Sequence, residues 1–320
     1  MITYLVGERG YSRHTVSAYR DTITLLLVFM RDVHGIKADR LEFGDISAER
    51  ITEFLNWLEQ HRHCGISTRN ARLAALHSFF RFLVYKYPDL INNWQAILAL
   101  RVKKCASPDV VYLTADGVKL LLAQPDTTRK KGRRDQMLMS LMFECAGRVQ
   151  EIVDLVPARV NFGKPALLTI KGKGNKTRLV PLTEKLTAIL KRYMHENGLL
   201  RDQATDYPLF GNGRGDKLTR MGITAIIRKY SAMARATNPS LIPPGISPHS
   251  LRHSKAMLLQ QSEVNIVAIR DFLGHASVTT TEIYARIDNQ QKREALEKTS
   301  LVPESSKDPI WQSNKGLLNL

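Results

Sequence analysis

The chain is short of cysteine, of acidic residues and of uninterrupted apolar stretches, and each scarcity excludes a class of protein. Three cysteines among 320 residues, Cys64, Cys105 and Cys145, form no CxxC pair and no disulfide framework, which fits a reducing compartment. No apolar run approaches the roughly 18 residues of a membrane span, and LLLVFM at 25–30 sits between Arg20 and Arg31. The N-terminus lacks the basic, apolar and small-residue succession of a signal peptide, so a cytoplasmic, nucleoid-associated location is expected. There is no G-x4-G-K-[ST] loop, no acidic cluster to hold Mg²⁺ and no Ser-His-Asp pattern. His61-Arg62-His63-Cys64 has ligand-type side chains, but without a distant partner set it reads as an exposed helix end.

What is abundant is positive charge. Lys plus Arg number 47 against 30 Asp plus Glu, giving a net charge of +17 and a pI near 9.9, and most of the excess lies beyond residue 104. A polyanionic partner follows, nucleic acid first and acidic membrane surface second. The length predicts two domains, each able to bury its own core.

Helical spacing dominates the first hundred residues. Ser12 is placed to cap a helix running to about Val33, with Val16, Tyr19, Ile23, Leu26 and Leu27 as its apolar stripe. A second helix starts after Ser47 and buries Ile51, Phe54, Leu55 and Leu58. In the third, STRNARLAALHSFFRFLVYK, the expectation is that Leu73, Leu76, Phe79, Phe80 and Leu83 are buried while Arg69, Arg72 and Arg81 face elsewhere. That basic face is either a solvated bundle surface or a contact with a phosphate backbone. A short helix near Trp94 to Leu100 closes a four-helix unit. RVKKCASPDVVYL then breaks the periodicity at Ser107-Pro108, and the expected organisation is a helical unit over 1–104, a linker over 105–113, a second domain over 114–302 and a tail over 303–320.

In the second domain, Thr114 caps a helix through Leu122, RKKGRR at 129–134 reads as a basic surface turn, and Met137 to Glu144 as an apolar helix. LLTIKGKGNKTRLVPL changes to period two, Leu168 and Ile170 then Leu179 alternating with polar residues around Gly174-Asn175, as in a β-hairpin with a lysine-rich tip. Helical patterns return at 183–195, 219–236, 248–260, 264–273 and around 279–298. The fold class is therefore mainly α with a small antiparallel β-sheet.

Several groups in this domain can carry chemistry. In GISPHSLRHSKAMLL, Ser247 and Pro248 suit the N-cap and N1 positions, which puts His249 and Arg252 on one face near the positive end of a helix dipole. A structural helix with an exposed Arg is the alternative. Arg148 follows Gly147, where the chain can turn it into a cleft or into a salt bridge with Glu144 or Glu151. Lys173 sits at the hairpin tip among glycines that permit close approach to a ligand. His275 ends an apolar helix, and Tyr284 follows nine residues later. A phenol with an ordinary pKa near ~10 becomes a nucleophile at neutral pH only with cations and proton carriers around it.

In order, GRVQEI, IKGKGNKTRLVPL, HSLRH and LGHASVTTTEIYARI resemble the signature set of the tyrosine recombinases, the lambda-integrase-like family. The likeness spans roughly residues 10 to 295. Two departures stand out: the family often has Gly-Leu-Arg where this chain has Ala146-Gly147-Arg148, and Pro239 to Pro244 lengthens the approach to His249.

The resemblance implies a SAM-like helical core-binding domain followed by an α+β catalytic domain, in the two-domain form of the simpler recombinases. It implies that Tyr284 attacks a scissile phosphate of double-stranded DNA, leaving a 3′-phosphotyrosyl link and a free 5′-hydroxyl. Arg148 and Arg252 would hold the non-bridging oxygens, Lys173 would protonate the leaving oxygen, His249 would exchange the tyrosine proton and His275 would hydrogen-bond the phosphate. DNA-backbone contacts are expected at Arg13, Arg69, Arg72, Lys103, Lys104, Lys171 and Lys176. No cofactor or metal is implied. The expected assembly is a homo-tetramer on DNA, a monomer or weak oligomer when free, with a partner recombinase or accessory protein left open. The C-terminal helix, NQQKREALEKTS, packs either within its own subunit or into a neighbour. Alternatives are a type IB topoisomerase-like nicking and closing enzyme and a DNA-binding protein that has lost catalysis.

Overall fold

Short polar caps start most of the helices in the computed structural model, which describes residues 10–11, 13–105, 110–172 and 176–274, with 13 and 14 as backbone only. Ser47, Thr114, Thr183, Thr219, Ser247 and Asn265 each accept a hydrogen bond from a backbone N–H in the following turn, satisfying donors that a helix start would otherwise orphan. The described chain is mainly helical with one three-stranded antiparallel sheet. It divides into two compact units, Met1–Pro108 and Asp109–Leu320.

The first unit holds α1 (Arg13–His34), α2 (Ala48–His61), α3 (Ile66–Lys86) and α4 (Ile91–Leu98). Their apolar faces meet in a core that includes Leu26, Phe29, Ile51, Phe54, Leu73, Phe80 and Trp94. Phe80 and Trp94 stack with ring centroids 5.4 Å apart, and the indole N–H donates to the Tyr87 carbonyl at 3.1 Å, so the polar edge of the largest core side chain is satisfied.

The basic face expected on α3 is only partly present. Arg81 is exposed, but Arg69 is buried at 6% exposure, with Nη1 donating to Asn70 at 3.2 Å. Arg72 reaches across to α1, where Nη1 donates to the Ala18 carbonyl at 3.1 Å and to Thr22 Oγ1 at 2.9 Å. Both lie where α3 packs inward, because the helix buries more of its circumference than a single stripe. Phe79, placed in the core by spacing, is half-buried.

The second unit holds α5 (Ala115–Leu122), α6 (Lys130–Glu144), α7 (Val149–Val153), β1 (Val160–Asn161), β2 (Leu167–Lys171), β3 (Thr177–Pro181), α8 (Glu184–Glu196), α9 (Arg220–Thr237), α10 (Pro248–Gln261) and α11 (Ile266–Leu273). RKKGRR is not a surface turn: it forms the first turns of α6. Arg133 donates to the carbonyls of Thr127 and Thr128 and pairs with Glu196 at 2.9 Å, while Arg134 grips the buried Asp135 at 2.6 Å and the Gly211 carbonyl at 2.9 Å. Gly132 lets the preceding loop close, since a Cβ there would lie 1.8 Å from the Asp126 carbonyl oxygen.

The sheet order is β1-β2-β3, and β1 was not foreseen from sequence. In the β2–β3 register Leu168 faces Val180 and Thr169 faces Leu179, so Val180 enters the core and Leu179 is 64% exposed. A one-residue shift in reading the hairpin exchanges those faces. The hairpin tip, the helix expected around 279–298, the Ser12 cap, Ser107-Pro108 and the tail over 303–320 lie outside the described residues. None of the described helices is long and apolar enough to cross a membrane.

Candidate active site

α10 supplies the centre of the site. Ser247 caps it, Pro248 takes the first turn, and Ser247 and Ser250 satisfy each other reciprocally, as the sequence suggests. His249 is accessible in the first turn, while Arg252, three residues on, is buried at 3% exposure. Its Nη1 donates to the Ala146 carbonyl and its Nη2 to the Leu273 carbonyl, each at 2.6 Å. The guanidinium thus joins the turn after α6 to the end of α11.

Arg148 stands at the N-cap of α7. Its Nη1 donates to Glu151 Oε1 at 2.8 Å, its backbone N–H to Glu151 Oε2 at 3.0 Å, and its Nη2 to the Gly274 carbonyl at 3.1 Å. The partner is Glu151; Glu144 pairs instead with Lys255 at 2.7 Å. Arg178, from β3, donates to the same Glu151 through Nη1 at 3.1 Å and Nη2 at 2.8 Å. Burial pushes the Glu151 carboxyl up, but Arg178 and then Arg148 outweigh it and hold the group below the usual carboxylate range.

The departure at Ala146-Gly147 has a structural account. Ala146 is in the left-handed region at φ 44°, where glycine is the unstrained choice. At Gly147 a Cβ would lie 2.6 Å from Ile152 Cδ1, so Ile152 fills the space that a leucine would need. Arg148 is still delivered to the cluster.

The charges converge on His249. Partial loss of hydration and then the positive charges of Arg252, Arg148 and Arg220 hold its imidazole below the ordinary value. One turn further along, His253 is pushed down to about 4, by burial first and then by His249 and Arg252. The result is a neutral imidazole beside several guanidiniums at a helix N-terminus, an arrangement that receives an anion and accepts a proton.

Of the sequence-predicted catalytic groups, Arg148, His249 and Arg252 come together. Lys173, His275 and Tyr284 lie outside the described residues. The described residues next to Lys173 and His275 reach the same place: Gly274 accepts from Arg148, and a Cβ on Gly172 would sit 3.3 Å from Glu151 Oε1. Among the expected DNA contacts, Lys104, Lys171 and Lys176 are exposed, and Lys103 is exposed but paired with Glu59 at 2.5 Å. Arg69 and Arg72 point into the first unit, and the Arg13 side chain is outside the described set. Sequence reasoning missed Arg178, Arg220 and His253 as parts of the site and took Glu151 only as an alternative salt-bridge partner. Arg178 and Glu151 are 27 residues apart, and no periodic signal links them.

The Phage integrase family model matches residues 111–291, and that for the Phage integrase N-terminal SAM-like domain matches residues 2–86. The chain belongs to the phage integrase family. The putative integrase/recombinase y4rC of Sinorhizobium fredii (strain NBRC 101917 / NGR234) is 35% identical over 98% of this chain and 93% of its own length. Tyrosine recombinase XerD of Listeria monocytogenes serotype 4b (strain F2365) is 30% identical over 89% of this chain and 91% of its own. Among solved structures, the Tn1549 transposon integrase in complex with transposon right end DNA aligns with a TM-score of 0.72 at 16% identity, covering 92% of this chain and 96% of that one. XerH bound to difH substrate in its pre-cleavage complex gives 0.66 at 22% identity, over 88% and 78%. These two share the fold. As a tyrosine recombinase, the protein is a DNA strand-transferring enzyme of the site-specific class; the nicking-closing and lapsed alternatives are not favoured.

Proposed function

We propose that this recombinase cuts and rejoins double-stranded DNA through Tyr284, and that four copies on two duplexes exchange strands by way of a Holliday junction. The phenolic oxygen attacks the scissile phosphorus, a 3′-phosphotyrosyl bond forms and the 5′-oxygen leaves with a proton from Lys173. His249 takes the tyrosine proton, Arg148 and Arg252 bind the non-bridging oxygens, and His275 adds a hydrogen bond. The covalent link retains the phosphodiester energy for rejoining. Residues 1–104 and 114–302 are the core-binding and catalytic domains, joined by 105–113, with Lys104, Lys171 and Lys176 on the DNA backbone.

The observation that carries this reading is the convergence of Arg148, Arg252 and His249 on one end of α10. A pentavalent phosphorane concentrates negative charge, and fixed guanidiniums in a partly dehydrated site stabilise it more than they do the ground state. Incubation with nicked suicide duplexes drawn from the DNA flanking the protein's gene tests it. Tyr284→Phe should bind the duplex that the unmutated protein cuts yet leave no covalent adduct; an adduct in that variant sinks the assignment.

A further inference from the structure

Two guanidiniums on one carboxylate carry a consequence for charge. Glu151, 6% exposed, accepts from the Arg148 backbone and side chain and from both terminal nitrogens of Arg178. Were Arg148 its only partner, the pair would be neutral and the guanidinium would offer a phosphate little field. With Arg178 added, the cluster has a net charge of +1. The Arg178 side chain is only 12% exposed while that of Arg148 is 32% exposed, so the surplus is presented at Arg148.

We propose that Arg178 is a positioning residue whose buried charge balances Glu151, leaving Arg148 both clamped by that carboxylate and still cationic toward the scissile phosphate. The inference rests on Arg148 acting on the phosphate. Stability alone does not account for Arg178. Exchanging a buried ion pair for apolar side chains is often neutral or stabilising, and among the described residues Arg178 Nε is buried and finds no hydrogen-bond partner. The geometry also differs from a simple strut: the two parallel N–H···O contacts to Glu151 leave Oε1 and Oε2 each with capacity for Arg148.

The test is charge rescue. Single-turnover adduct formation is measured on the suicide duplexes for the unmutated protein, Arg178→Met, Arg178→Met with Glu151→Gln, Arg178→Lys and Arg148→Ala, with duplex affinity measured in parallel. Arg178→Met should slow adduct formation at least about tenfold, approaching the loss expected when an electrostatic donor is removed, with affinity altered less than about threefold. Adding Glu151→Gln should recover at least about threefold in rate, because Arg148 then faces a neutral amide. On a duplex with an uncharged methylphosphonate at the scissile position, the Arg178→Met deficit should shrink to within about twofold.

A double variant no faster than Arg178→Met, or an undiminished deficit on the methylphosphonate, would overturn the proposal in favour of a mechanical brace. If Arg178→Met gives no cooperative thermal transition, the double variant and Arg178→Lys decide. Both should then cut faster than Arg148→Ala, and equal slowness refutes the charge role. No adduct from the unmutated protein, or full activity in Arg148→Ala, marks failure of the underlying phosphate-clamp reading instead.

Discussion

The Ala146 carbonyl oxygen lies 2.6 Å from Nη1 of Arg252, a residue 106 positions later in the chain. The same guanidinium reaches the Leu273 carbonyl, so a side chain assigned to phosphate binding also ties α6 to α11. Arg252→Lys keeps a charge but has one nitrogen where two acceptors wait. Adduct formation should fall on the order of 100-fold or more. Denaturant titration should also show a loss of roughly 1–3 kcal/mol from the carbonyls left unpaired. A lysine variant as active and as stable as the parent contradicts both roles.

Ala146 holds a left-handed backbone at φ 44°. Replacing it with glycine removes a strain of roughly 1–2 kcal/mol but adds unfolded-state freedom worth about half of that. Ala146→Gly should therefore raise the urea midpoint slightly with adduct formation unchanged. A lower midpoint would mean that the methyl group contributes more by packing than it loses by strain.

His253 predicts an acid dependence of stability. Its folded value is about 4 against about 6.5 for an unfolded histidine. Between those values the unfolded chain binds more protons, so stability falls as pH drops from about 6.5 toward 4 and this contribution levels off below. Glu151, held low in the folded state, acts in a lower window: its contribution is present above about 4.3 and is lost as pH falls through the depressed value. His253→Gln should flatten the upper slope by roughly 2 kcal/mol, discounted for the ring's partial exposure. An unchanged slope in unfolding measured from pH 7 to pH 4 would refute the assignment.

His249 sets a different pH dependence, that of the reaction. Because its imidazole is held below the ordinary value, it stays neutral and able to accept a proton at pH values where a free histidine would be half charged. The acid limb of single-turnover cleavage should lie below about 6.5. An acid limb above that value would show that the surrounding guanidiniums do not control this group.

Arg72 and Lys104 separate stability from DNA binding. Arg72 bonds to Ala18 and Thr22 on α1, so Arg72→Ala should destabilise the first unit by about 1–2 kcal/mol. Lys104 is exposed, and Lys104→Ala should leave unfolding unchanged while reducing the salt dependence of DNA affinity by about one unit of slope. The reverse pattern would return Arg72 to the DNA-contacting set.

The chain's local grammar was decisive wherever a feature closes within one or two turns. Ser47, Thr114 and Ser247 bond donors no more than three residues away, and His249 and Arg252 share a face because a helix turn brings them there. Those signals anticipated most of the described helices, the pairing of β2 with β3 and the place of His249 and Arg252 at the start of α10, since the partners are fixed by backbone geometry alone. The inward turn of Arg69 and Arg72, the choice of Val180 over Leu179 for the core, and the shared Glu151 of Arg148 and Arg178 were decided only by tertiary packing. For Arg72, Val180 and Arg178 the deciding partner lies on another element, and whether a charge faces water, a carbonyl or a carboxylate depends on what that element places opposite it.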